Sequence, residues 1–189
     1  EICLYPLRFD TNVKLDKISG LHALRWMRLF GCQITDEALQ QMTDLPNLKF
    51  LDLDHNETTT DASLAHIATS FPAMEYLSLH STSISDDGIK HLAALKQLQV
   101  LSLLGTKISG AGLKHLADHP SLRELFLGFT TITQEHVQRL SSIPHLETLS
   151  VWRATLTDES VAELARLTKL KRLDLRDSTI NSANGAQLK

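Results

Sequence analysis

Large apolar residues recur along this chain at fixed offsets. From Met74 the series runs Met74, Leu77, Leu79, Ile84, Ile89, Leu92 and Leu95, with Thr82 set among them. The next stretch repeats it as Leu98, Leu101, Leu103, Thr106, Ile108, Leu113 and Leu116. Further copies start at residues 122, 146 and 170, and earlier ones at 24 and 48. The spacing is 24 residues throughout, except that the copy from 48 to 73 is two residues longer. Ile2, Leu4, Leu7, Phe9, Leu15, Ile18 and Leu21 fit the same frame as a partial copy with one inserted residue. Seven starts and the partial copy predict eight strands, one per turn of a repeat array.

Each copy carries two periods. Around Leu77 and Leu79 the alternation is period two, so this segment predicts a short strand with Tyr76, Ser78 and His80 on the opposite face. Later the apolar spacing becomes three, as in Ile89, Leu92 and Leu95, which predicts one face of a short helix. Thr35-Asp36, Thr60-Asp61, Ser85-Asp86 and Thr157-Asp158 mark helix starts. The hydroxyl caps free N–H groups there, and the carboxylate meets the positive end of the helix dipole. Pro46, Pro72, Pro120 and Pro144 fall where each helix must stop. One copy cannot bury its own apolar face. Stacked copies can, with parallel strands on one side and the wider helices on the other, so the array curves with its strands on the concave face.

The unit L-x-x-L-x-L-x-x-T-x-I-[ST]-x-x-x-L-x-x-L-x-x-L, carried across essentially the whole chain, resembles the leucine-rich repeat family. Its helix-bearing second half is similar to the ribonuclease-inhibitor-like and cysteine-containing subclasses. Its Thr-rich ladder and Thr-Asp or Ser-Asp step are similar to bacterial versions. The resemblance implies an α/β leucine-rich repeat solenoid used as a scaffold for protein–protein recognition. The ladder position, often Asn or Cys in that family, is here Leu7, Cys32, Asn56, Thr82, Thr106, Thr130, Ala154 and Ser178. Leu7 and Ala154 depart from the pattern, because neither side chain can hydrogen-bond buried backbone. Residues 1–189 are expected to form a single domain of about eight repeats. Glu1 already stands inside a strand frame, Leu188 aligns with mid-helix Leu116, and Gly185 takes the place of Leu113. The expectation is therefore a stretch cut at both ends from a longer chain. A second reading follows, in which this is the targeting part of a larger enzyme or secreted effector.

Charge and composition narrow the function. The 189 residues hold 19 Lys and Arg against 22 Asp and Glu, so the basic footprint of a nucleic-acid binder is missing. No apolar run approaches the length of a membrane span, and Glu1-Ile2-Cys3-Leu4 carries no leader pattern. Two cysteines make no disulfide framework and leave the compartment open. The aromatic residues are few, yet seven of the ten fall at predicted concave positions. Trp26, Phe50 and Tyr76 share one column on consecutive strands, Val100 continues it, and Tyr5 and Phe30 flank it. Further along stand Leu104, Phe126 and Trp152, with Arg153, Arg172 and Arg176 nearby. A contiguous apolar stripe facing solvent marks an interaction surface, and Trp, Tyr and Arg are frequent binding hot spots. Those twelve residues form the candidate partner-binding set. The same rings could also simply pack on one another and stiffen the sheet. Self-association through this face is a further possibility.

Other constellations carry less. Asp54 and His80 share a column beside Asp52 and His55, which would suit a base or a metal but more often forms a surface ion pair. His115 and His119 are four apart, but Leu116 stands where a zinc-protease helix needs Glu. His119 also falls in the core column of Leu95, Ile143 and Leu167. Asn56-Glu57-Thr58 reads as a glycosylation sequon, though a ladder residue should have its amide buried and bonded. Gly105 to Gly112 lacks the Gly-Lys-Ser/Thr ending of a phosphate loop, and no Gly-x-Ser-x-Gly elbow is present. No catalytic residue, metal site or cofactor is assigned, and the sequence reads as a non-enzymatic binding module.

Overall fold

The computed structural model describes residues 1–4, 15–128 and 133–181. Tyr5, Leu7 and Thr130 therefore lie outside the described residues. Eight parallel strands pair in chain order: β1 (Ile2–Leu4), β2 (Trp26–Leu29), β3 (Phe50–Asp52), β4 (Tyr76–Ser78), β5 (Val100–Ser102), β6 (Glu124–Gly128), β7 (Thr148–Trp152) and β9 (Arg172–Asp174). Between β7 and β9 lies β8 (Thr155–Thr157), which pairs with β10 (Thr179–Asn181) in a separate two-stranded sheet. The repeat frame gave the eight strands of the main sheet but not this small one.

Register follows the leucines. Met27, Leu51, Leu77, Leu101, Leu125 and Leu149 stand opposite one another on successive strands, and all are fully buried. Each such burial contributes about 1.5–3 kcal/mol. Leu173 continues the column on β9, at the edge of the sheet, and there it is exposed. The other wall is built from α1 (Asp36–Gln40), α2 (Asp61–Ser70), α3 (Asp86–Leu92), α4 (Gln134–Leu140) and α5 (Asp158–Leu164). Two coils use 3₁₀ turns instead, at Asp16–Ile18 and Ala111–Leu116. Neither is preceded by a Ser-Asp or Thr-Asp step, and neither has a side-chain cap.

The caps form where expected. Thr35, Thr60, Ser85 and Thr157 accept hydrogen bonds from Ala38, Ala62, Asp87 and Ser160 N–H. The acidic residue beside the cap also works between coils. Asp36 accepts from Thr60 N–H and Oγ1 and from Ser63 Oγ, and Asp61 accepts from Ser85 N–H and Oγ. Asp86 accepts from Ser109 and from Gly110 and Gly112 N–H. A β-carbon on Gly88, the third residue of α3, would collide with the Asp61 carboxylate, so that position takes a residue that has none.

The polar ladder closes the strand side. Asn56 is fully buried. Its amide donates to the carbonyls of Leu29 and Leu53 at 2.8 Å and accepts from Ile34 N–H at 2.8 Å. Thr82 and Thr106 donate to Leu79 and Leu103. Ser178 donates to Val151 and accepts from Ala154 N–H, so the next coil serves the backbone that Ala154 cannot. Cys32, expected to be buried, is only partly so; its thiol donates to the Phe30 carbonyl at 3.4 Å. In the longer coil Thr59 takes the slot of Ile84 one residue late, fully buried, with its hydroxyl on the Ile34 carbonyl.

Candidate functional site: the outer face of the sheet

The turns that follow β2, β3, β4, β5, β7 and β9 each end in a residue with a left-handed backbone. Gly31, His55, Ser81, Gly105, Arg153 and Asp177 all have φ between 54 and 63°. Four of these six are not glycine, which costs roughly 1 kcal/mol each. The conformation turns the N–H toward the next coil. Gly31 donates to Asp54, His55 to His80, Ser81 to Leu104, Gly105 to Gly128 and Arg153 to Arg176. The parallel ladder is thereby carried past the strand ends, and side chains four and five places beyond the first outward residue are held in register.

On β2 to β4 three columns lie side by side. The first is Trp26, Phe50 and Tyr76, directly opposite one another. Their rings stack, with centroids 3.8 and 4.1 Å apart and planes within 4 and 11° of parallel. The middle column is Arg28, Asp52 and Ser78. Arg28 pairs with Asp52 at 2.8 Å and its guanidinium carbon lies 5.8 Å from the Phe50 centroid. The third begins with Phe30 and continues through Asp54 to His80. Beside it the rings of Phe30, His55 and His80 form a tilted file at 4.8 and 4.7 Å.

Facing outward did not make these positions accessible. Phe50, Asp52, Ser78, Ser102 and Ser150 are all buried. Phe50 lies between Trp26 and Tyr76 with both ring faces taken. Trp26, at the head of the stack, is 48% exposed and borders an open cleft lined by Glu1, Ala23 and Arg25. Phe30, Tyr76, Val100, Leu104, Phe126 and Trp152 are half-buried, and Arg153, Arg172 and Arg176 are exposed. Leu104 packs over Gly128, where an added β-carbon would meet it at 2.5 Å.

Asp54 and His80 do not form the ion pair that their shared column suggests. Asp54 Oδ1 accepts from Ser78 Oγ at 2.5 Å and from the His80 backbone N–H at 2.9 Å, not from the imidazole. Burial pushes the Asp54 carboxyl above its ordinary range and the nearby Asp52 adds to this, against the bond from Ser78. Burial also lowers His80, aided by His55 and opposed by Asp54.

The far end is different. Arg176 places its guanidinium 4.4 Å from the Trp152 ring centroid and grips Asp174 with two nitrogens at 2.8–3.0 Å. This grip holds the Asp174 carboxyl at about 2. Arg153 approaches Asp177 at 4.0 Å. The sequence placed these residues near one another, but it offered no sign that Arg176 was already engaged.

The remaining candidates are structural. His119 is buried in the leucine column with Nδ1 accepting from Leu122 N–H, and burial keeps its ring toward the neutral form. Asn56 has its amide bonded at both ends inside the core, so the folded protein offers no acceptor nitrogen at the sequon. Among the described residues no three His, Cys, Asp or Glu side chains converge as a metal-binding group, and no helix is long and apolar enough to cross a membrane.

No protein-family model matches the sequence. Among solved structures, internalin C2 from Listeria monocytogenes is similar at a TM-score of 0.67 and 28% identity, over 89% of this chain and 69% of its own length. A second internalin of that organism, inlF, is similar at a TM-score of 0.61 and 21% identity, over 90% of this chain and 46% of its own. Internalins are leucine-rich repeat proteins, and the parallel sheet backed by short helices described above is an α/β leucine-rich repeat solenoid.

Proposed function

We propose that this chain is a protein-recognition module that holds its partner along the outer face of the main sheet and does no chemistry on it. One observation carries the reading: a half-exposed tryptophan stands at the head of a ring stack whose central ring, Phe50, is buried. Exposing Trp26 contributes nothing to burial, while the stack beneath fixes its orientation. A rigid aromatic anchor loses little entropy on binding and is the usual form of an interface hot spot. Solenoids of this kind use extended concave surfaces for binding, and the likeness to the internalins supports a recognition role in general. Trp26, Tyr76 and Phe30 are the proposed anchors, with Phe50 as the support between them. Trp152, Arg153, Arg172 and Arg176 are the proposed second, polar contact. The carboxylates on this face are held by backbone N–H groups, hydroxyls and arginines, which suits recognition rather than acid–base work.

The test is affinity capture from an extract of the source cells, followed by mass spectrometry, with the native chain and a Trp26→Ala variant side by side. Phe50 is left intact because it is buried. A partner retained by the native chain and lost by the variant supports the reading. Identical captures contradict it.

A further inference from the structure

The outer face twice repeats one arrangement of three groups: an aromatic ring, an arginine and a carboxylate. Near β2 and β3 it is Phe50, Arg28 and Asp52, with the guanidinium on the carboxylate at 2.8 Å and 5.8 Å from the ring centroid. Near β7 and β9 it is Trp152, Arg176 and Asp174, at 2.8 and 4.4 Å. In both, a guanidinium meets the carboxylate beside an aromatic ring; Arg176 lies over Trp152, whereas both faces of Phe50 are taken and Arg28 stands farther off. The flat guanidinium with its two parallel donors suits such neighbours better than ammonium does.

Asp54 presents the same surroundings without the cation. It sits two residues beyond Asp52, in the turn after β3, between the ring stack that ends in Tyr76 and the ring file that ends in His80. Burial raises the Tyr76 phenol above its ordinary range against a bond with Ser78, and the charges of Asp54 and Asp52 add to the rise. Among the described residues Asp54 makes no salt bridge, and only its Oδ1 accepts hydrogen bonds, from Ser78 and His80. Asp52 carries Arg28 and Asp174 carries Arg176. Glu124 on β6 is also half-buried and makes no salt bridge among the described residues, but Asp54 is the one that lies within the aromatic region of β2 to β4.

Resting on the recognition reading above, we propose that Asp54 receives an arginine side chain of the partner protein, its guanidinium edge on the Asp54 carboxylate and its face against the Tyr76 and His80 rings. The partner is thereby one that presents an exposed arginine beside an apolar patch, the patch meeting Trp26. Its charge complements the carboxylate, which has no counter-ion among the described residues. Lysine in its place lacks the flat face and the two parallel donors, and binds more weakly.

The experiment is selection from a random peptide display library on the immobilised chain. Recovered peptides are synthesised and their affinities measured for the native protein, Trp26→Ala and Asp54→Asn. The peptides that lose affinity on Trp26→Ala are expected to carry arginine. Replacing that arginine by citrulline, which keeps the shape and removes the charge, is expected to weaken binding at least about 10-fold to the native protein and less than about 2-fold to Asp54→Asn. Because the change is made on the peptide, the comparison on the native protein holds even where Asp54→Asn folds poorly. Trp26-dependent peptides without arginine, or peptides indifferent to citrulline, overturn the arginine assignment and leave the recognition reading standing. A library that yields no Trp26-dependent binder overturns both.

Discussion

The two ends of the sheet use similar residues to opposite effect. At the β7 and β9 end, Arg176 is engaged by both the Trp152 ring and the Asp174 carboxylate, so the cation joins the two. At the β2 to β4 end the rings stack on themselves, Arg28 is engaged by Asp52, and Trp26 and Asp54 remain available to a partner. The lesson is that a residue's place on the concave face says little about its availability. The strand beside it decides, at a separation of about 4.8 Å, whether a side chain is a support or a contact.

The largest expected effect lies beneath the aromatic end. Asn56→Ala leaves the Ile34 N–H and the Leu29 and Leu53 carbonyls unpartnered in the core, and is expected to cost about 3 kcal/mol or more in urea unfolding. Ser178→Ala, at the other end and only half-buried, is expected to cost about 1 kcal/mol. Equal losses would mean that the ladder supports both ends alike. Within the stack the contrast is similar. Phe50→Ala empties a buried slot and is expected to cost about 3 kcal/mol, against about 1 kcal/mol for Trp26→Ala, which removes one stacked pair at the open end. The reverse order would make Trp26 the structural ring.

The two carboxylates provide a finer comparison, read by carbon-detected NMR titration. Asp174 is expected near 2 and to return toward the ordinary carboxylate range in Arg176→Gln. Asp54 is expected above that range. The consequences for stability have opposite signs. The contribution of Asp174 is present above its unfolded value near pH 4 and is lost as pH falls toward 2. Ionised Asp54 opposes folding at neutral pH, and that opposition is relieved as pH falls through its native value. Unfolding curves of Asp174→Asn and Asp54→Asn against pH should therefore depart from the native curve in opposite directions.

Much of this was legible in the sequence. The leucine spacing gave the coils, the eight paired strands of the main sheet and the inward column, because burial of a two-residue period admits one register. The hydroxyl-acid steps gave the helix caps. Three things were not legible. Asp36, Asp61 and Asp86 bond the cap of the following coil, an interaction that depends on how one turn of the array sits on the next. The left-handed turns at His55, Ser81, Arg153 and Asp177 carry no glycine to announce them. The burial of Phe50, Asp52 and Ser78 depends on the side chains beside them, which a column-by-column reading treats as solvent. The rings do gather in the columns the spacing predicts, whereas the reading of the whole stripe as solvent-facing fails at Phe50, which is buried.

The smallest expected effect is a gain. His55→Gly relieves the left-handed turn and is expected to stabilise the chain by about 0.5 kcal/mol in urea unfolding. The gain is this small because the substitution also removes the ring that His55 sets between Phe30 and His80.

The claim that the open aromatic end is the recognition surface is tested most directly by one paired measurement. The affinity of the captured partner and the urea unfolding of the chain are determined together for the native protein and Trp26→Ala. The account predicts an affinity loss of about 30-fold, some 2 kcal/mol, with folding stability reduced by no more than about 1 kcal/mol. Unchanged affinity alongside a large loss of stability would contradict it and make Trp26 a ring that holds the fold together.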